Sequence, residues 1–150
     1  MRGDQTFLQF KRGMDAADRG DTANALIYLH QAAEGSESAL VSSYLGYCLA
    51  REKQEFDQAI TLCHKALELE PANALHYLNF SRVLSVMGRK SHALKMLRRG
   101  LQVQRHPQLI HELRRLGVRR RPLFPFLKRE HPMNIHLGRA LSWVRREPAF

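Results

Sequence analysis

Cysteine is scarce in this sequence of 150 residues. Cys48 and Cys63 are the only two, too few and too far apart for a disulfide framework or a zinc site. Long apolar runs are also missing: none approaches the roughly 20 residues needed to span a bilayer. Residues 1–13 carry Asp4, Lys11 and Arg12 and lack the apolar stretch of about 7–15 residues that a secretory signal requires, so a cytoplasmic location is expected. Catalytic signatures are absent too, with no phosphate-cradling glycine loop, no HExxH and no CxxC. The eight histidines are scattered, and the pairs His106/His111 and His131/His136 are five apart, off a common helix face. They read as surface or half-buried side chains, and Cys48 and Cys63 as small buried hydrophobes. No metal, no cofactor and no catalytic residue is therefore expected, and the chain is not expected to be an enzyme.

Acidic residues are nearly missing from one half. Residues 76–150 hold 17 Lys and Arg against 3 Asp and Glu, a net of +14. Residues 1–75 hold 7 against 11, a net of −4. The formal +10 of the whole chain thus belongs to its second half. With 44% hydrophobic and 25% charged residues, the composition is that of a folded chain and excludes a disordered one.

What the sequence does contain is a repeat. Ala25, Ala59 and Ala93 are 34 apart, as are Ala32, Ala66 and Gly100, Leu29, Cys63 and Leu97, and Leu26, Ile60 and Leu94. Gly20 and Gly88 lie two periods apart, with Gln54 between them. A second small-residue column, Gly13, Gly46 and Ser81, is spaced 33 and 35. Such periods mark stacked supersecondary units. Each unit reads as two helices with apolar residues at three- and four-residue spacing: 5–17 and 22–33, 39–51 and 56–69, 74–87 and 91–103. The polar stretch 51–55 separates the middle pair and carries one extra residue. Pro71 stops the fourth helix, and Ser91 is a candidate N-cap for the sixth. Residues 108–116 form a capping helix, with Leu109, Ile110, Leu113 and Leu116 on one side and Gly117 at its end.

These columns resemble the tetratricopeptide repeat (TPR) family, through Leu45-Gly46, Leu49, Ala59, Cys63, Ala66 and Pro71 in the middle unit. Tyr77, Phe80-Ser81, Leu84, Gly88, Ala93, Leu97 and Gly100 match in the third unit, and Gly13, Ala16, Gly20, Ala25, Leu29 and Ala32 in the first. The resemblance implies an all-α solenoid of three helix-hairpin repeats over about 6–38, 39–73 and 74–107, with a cap over 108–117. It covers roughly two thirds of the chain. Residues 118–150 belong to no repeat. They form a basic, proline-containing tail, with a strip over 122–127 expected to pack on the repeats or enter their groove, and a last helix over about 134–146.

The resemblance further implies a concave face, lined by the first helix of each repeat, that holds a peptide or a partner helix. Its lining would be Phe7, Phe10, Lys11 and Met14, then Tyr44, Tyr47 and Arg51, then Leu75, Asn79 and Arg82. Some family members grip a C-terminal carboxylate of chaperone tails with Lys, Asn and Arg. The corresponding places here hold Phe10, Met14, Tyr44, Leu75 and Asn79, so that clamp is not matched and an apolar ligand fits better.

The basic half forms a patch of its own. Lys95, Arg98 and Arg99 share a helix face, Arg114 and Arg115 lie on the cap, and Arg119, Arg120 and Arg121 follow. Two functions remain open on the sequence. One is a non-enzymatic adaptor whose groove binds another protein, either acidic or presenting an apolar helix. The other is an electrostatic binder of nucleic acid or anionic membrane through the basic half. Charge asymmetry also allows salt-sensitive self-association.

Overall fold

The computed structural model describes residues 2–117. The chain divides into two units, Met1–Gly117 and Val118–Phe150. Arg119–Arg121, the strip over 122–127 and the helix expected over 134–146 lie outside the described residues. Seven helices make up the described residues: α1 (Arg2–Asp18), α2 (Thr22–Gly35), α3 (Ala39–Glu52), α4 (Phe56–Leu69), α5 (Ala74–Val86), α6 (Lys90–Val103) and α7 (Pro107–Gly117). None of them is long and apolar enough to cross a membrane.

Each helix follows from its apolar spacing and its ends. In α4, Ala59, Cys63 and Ala66 face inward at intervals of four and three, and all three are fully buried. Asp21 caps α2 by accepting from the Asn24 N–H, and the Asn73 Oδ1 accepts from the Leu75 N–H at 3.1 Å to cap α5. Ser91 does not cap α6. That helix already begins at Lys90, and Arg89 sits at its N-cap without a side-chain bond.

The three hairpin turns are alike. Residues 19–21, 53–55 and 87–89 each join two helices, and the central residue of each has a left-handed φ: Gly20 +85°, Gln54 +57° and Gly88 +76°. The extra residue of the middle unit is therefore not in its turn. It is absorbed by α3, which runs on to Glu52 and leaves a three-residue turn. Holding Gln54 in phase with the glycines preserves the packing of α4, at the cost of a conformation that side chains disfavour.

The helices pair α1 with α2, α3 with α4 and α5 with α6, and successive hairpins stack through α1–α3, α3–α5 and α5–α7. The odd-numbered helices thus form one inner row. The even-numbered helices flank it and do not pack on one another. Small residues set the seam within a hairpin. At Gly46 an added Cβ would stand 2.9 Å from the Ala59 carbonyl oxygen, so α3 and α4 approach as closely as they do only because that position has no side chain. Larger residues fill between the seams in three consecutive clusters, around Leu29, Tyr44 and Leu49, then Cys63, Phe80 and Val83, then Leu78, Leu97 and Leu109. Each such side chain contributes about 1.5–3 kcal/mol by leaving water. Cys48 and Cys63 are free and buried, and burial pushes both thiols up to about 12.

Candidate functional site

Equivalent positions of α1, α3 and α5 stand side by side along the inner row. Phe7, Leu40 and Leu75 occupy the first of these registers, six residues before Gly13, Gly46 and Ser81 respectively. Phe7 is 66% exposed, an unusual state for a large aromatic, while Leu40 and Leu75 are half-buried. Phe10 lies one turn further on and meets the Tyr44 ring edge-to-face at a centroid separation of 6.4 Å. Lys11 and Arg51 are exposed, and Met14 and Tyr47 are half-buried.

At the other end of the same helices the inner row is occupied by the chain's own polar groups. Arg82 on α5 reaches Asp18 on α1, Nη1 to Oδ1 at 2.8 Å. The second Asp18 oxygen accepts from Gln108 Nε2 on α7 at 2.9 Å and from the Tyr44 hydroxyl at 3.3 Å. The Arg82 guanidinium also sits over the Tyr47 ring, 5.2 Å from its centroid. Neither α5 nor α7 packs directly on α1, so the first helix meets the third repeat and the cap through side chains such as these. Burial, reinforced by the Asp18 charge, holds the Tyr44 phenol well above its ordinary range. Tyr47 is also raised by burial, against the opposing pull of Arg82 and Arg51.

The network continues inward. Arg82 Nη1 donates to Asn79 Oδ1 at 3.2 Å, and Asn79 Nδ2 donates to Ser43 Oγ at 3.2 Å. His76 Nδ1 lies 3.0 Å from Ser43 Oγ, and its Nε2 lies 3.1 Å from Glu70 Oε2. His76, Ser43 and Asn79 are all fully buried. Burial pulls the His76 pKa down, although Glu70 opposes the shift. The Glu70 carboxyl is itself held below its ordinary range, first by Asn73 and then by His76.

The positions expected to line the concave face therefore fall into three groups. Phe7, Lys11 and Arg51 are open to solvent. Phe10, Met14, Tyr47, Leu75 and Arg82 are half-buried on the inner row. Tyr44 and Asn79 are fully buried, as are their neighbours Ser43 and Leu78, because α3 and α5 are covered on several sides by the helices packed against them. His76 likewise departs from the expectation of a surface or half-buried histidine, since α3 and α5 enclose it. Asp18 and Gln108 were not singled out from the sequence, and no local signal marks a partnership across 90 residues. In the basic patch Lys95, Arg98, Arg99 and Arg114 are exposed. Arg115 pairs with the buried Glu112, with its Nε 2.9 Å from Glu112 Oε2.

No family model matches the sequence, and no curated protein matches it either. Solved structures do. The Arabidopsis OM64 TPR domain superposes with a TM-score of 0.57 at 18% identity, over 77% of this chain and 97% of that one. The first TPR of Spaghetti (RPAP3), bound to the HSP90 peptide SRMEEVD, gives 0.56 at 15% identity over 76% and 91%. The second TPR domain of human RPAP3, in complex with the HSP70 peptide SGPTIEEVD, gives 0.56 at 15% identity over 79% and 100%. Three hairpins stacked through an inner helix row, each with the same small-residue seam and closed by a seventh helix, are the tetratricopeptide-repeat fold, and residues 2–117 of this chain form a domain of that fold.

Proposed function

We propose that residues 2–117 act as a non-enzymatic protein-interaction adaptor, which takes an apolar side chain of a peptide or partner helix at the Phe7 end of its inner helix row. The exposed Phe7 ring, level with half-buried Leu40 and Leu75, is the observation that carries this reading. A large aromatic side chain left mostly in water has surface to gain by binding. Lys11, one turn from Phe7 on α1, supplies a cation at this end, whereas Arg51 stands in the last turn of α3. Peptides bound by the solved relatives support the general idea of a peptide ligand. The ligand here differs in chemistry, since Phe10, Met14 and Leu75 offer no donor to a terminal carboxylate. Tyr44 and Asn79 are buried and already bonded.

A displayed library of random peptides, selected on the full chain, tests this. Peptides with an aromatic or aliphatic anchor should be enriched, and SRMEEVD should not bind. Phe7→Ser, an exposed change that leaves the fold intact, should weaken the selected peptides by roughly tenfold, as expected for one lost anchor. Unchanged affinity in Phe7→Ser, or tight binding of SRMEEVD, would refute the reading.

A further inference from the structure

We infer that the groove between α4 and α6 is a second docking site, separate from the Phe7 end of the inner row, and that its occupant is an acidic amphipathic helix of a partner protein. The two helices flank α5 without packing on each other, which leaves a cleft of about 600 Å³ floored by α5. A smaller depression of about 380 Å³ shares His64, Phe80, Met96 and Arg99 with it and extends it along α6.

Charge selects the occupant. Arg89, Lys95, Arg98 and Arg99 border the cleft together with His64 and His92, and among the described residues no carboxylate lines either part of it. None of these four cations has a carboxylate partner among the described residues. Lys95, Arg98, Arg99 and Gln102 follow the i, i+3, i+4, i+7 spacing, so they form one stripe along α6. The floor is apolar, made by Ile60, Phe80, Leu84 and Met96. A cationic edge beside an apolar floor matches a helix with carboxylates on one face and leucines on the adjoining one. Because α4 and α6 each have 14 residues, the walls are about 21 Å long, enough for a helix of similar length.

Nucleic acid fits less well. Binding of single strands uses open aromatic faces on which bases stack. Phe80 is buried and its ring is already met edge-on by His64 at 4.9 Å. The chain's own residues 118–150 are also the wrong sign, with 8 Lys and Arg against 2 Asp and Glu.

The test uses the full chain and a labelled peptide of about 14 residues, with Glu on one helical face and Leu on the next, followed by fluorescence anisotropy. Saturable micromolar binding is expected. Changing Lys95→Glu and Arg98→Glu together should weaken it at least about tenfold, and so should replacing the peptide leucines with alanine. Both protein positions are exposed, so the melting curve should not move. Phe7→Ser should leave this affinity unchanged, which separates the site from the inner row. Three outcomes would overturn the inference: charge reversal that changes affinity less than twofold, a single-stranded DNA of equal charge that binds as tightly, or a chain that dimerises through this cleft in sedimentation and loses the dimer on charge reversal.

Discussion

Gln54→Gly should stabilise the domain, although it removes a side chain and adds no contact. Gln54 has φ +57°, between Gly20 at +85° and Gly88 at +76° in the equivalent turns. A residue with a Cβ loses about 1–2 kcal/mol in the left-handed region. Glycine relieves that strain but gives the unfolded chain more freedom, which offsets about 0.4–1 kcal/mol. The difference leaves a net gain of roughly 0.5–1 kcal/mol. Gln54 is exposed, and the turn bond from the Phe56 N–H to the Gln54 carbonyl, 2.9 Å, survives the change. The mirror experiment is Gly88→Ala. Open space surrounds Gly88, so the added Cβ meets nothing and the loss of about 1 kcal/mol is a backbone effect alone. Urea unfolding followed by circular dichroism should move the midpoint up for Gln54→Gly and down for Gly88→Ala, at unchanged slope. If Gln54→Gly lowers the midpoint, or if both variants leave it in place, turn conformation is not what limits this repeat.

Two further predictions concern the polar network. Asp18→Ala removes three side-chain partners at once; since Asp18 and Arg82 are partly solvated, the expected loss is about 2–3 kcal/mol rather than the full sum of charged hydrogen bonds. A double-mutant cycle with Gln108→Ala should give a coupling of roughly 0.5–1 kcal/mol, and strict additivity would show that α1 and α7 do not communicate. The third prediction is a pH dependence. The folded pKa of His76 lies below its unfolded value of about 6.5, so the unfolded chain binds the proton first. Stability is full above about pH 6.5 and falls as the pH drops through the folded value. Glu70, also depressed, adds a loss in the same direction at lower pH. His76→Gln should start less stable at neutral pH but show a shallower decline as the pH falls below about 6.5; a decline as steep as in the unmodified protein would assign the acid sensitivity elsewhere.

The fold was legible because its determinants are periodic. Ala25, Ala59 and Ala93 sit where two backbones meet, and such a position rejects large residues in every repeat, so the constraint is written three times. Helix ends followed within a few residues, since Pro71 and the polar turns act locally, although the caps Asp21 and Asn73 came only from the structure. Side chains on the inner row were harder to place. Ser43 and Tyr44, like Leu78 and Asn79, are adjacent and all buried, and a pattern of apolar residues does not say on how many sides an inner helix is covered. Ser91 looked like a cap because hydroxyls favour that position, yet Lys90 begins α6. The Asp18–Gln108 and Asp18–Arg82 bonds depend on how much the stack curves, a property of all the interfaces together that no single segment encodes.

Those bonds also change what kind of object the repeat array is. A linear stack obeys nearest-neighbour energetics: each repeat feels only the next, and units can be trimmed from an end at a predictable loss. Here Asp18 in the first repeat is held by the third repeat and by the cap. The array is thereby closed on itself, like a chain whose end links have been hooked together. Removing α7 would take one bond from α1 as well as the packing it gives α5 and α6. Removal of α7 should accordingly lose about 0.5–1 kcal/mol beyond its own packing on α5 and α6, the part that reaches α1 through Asp18.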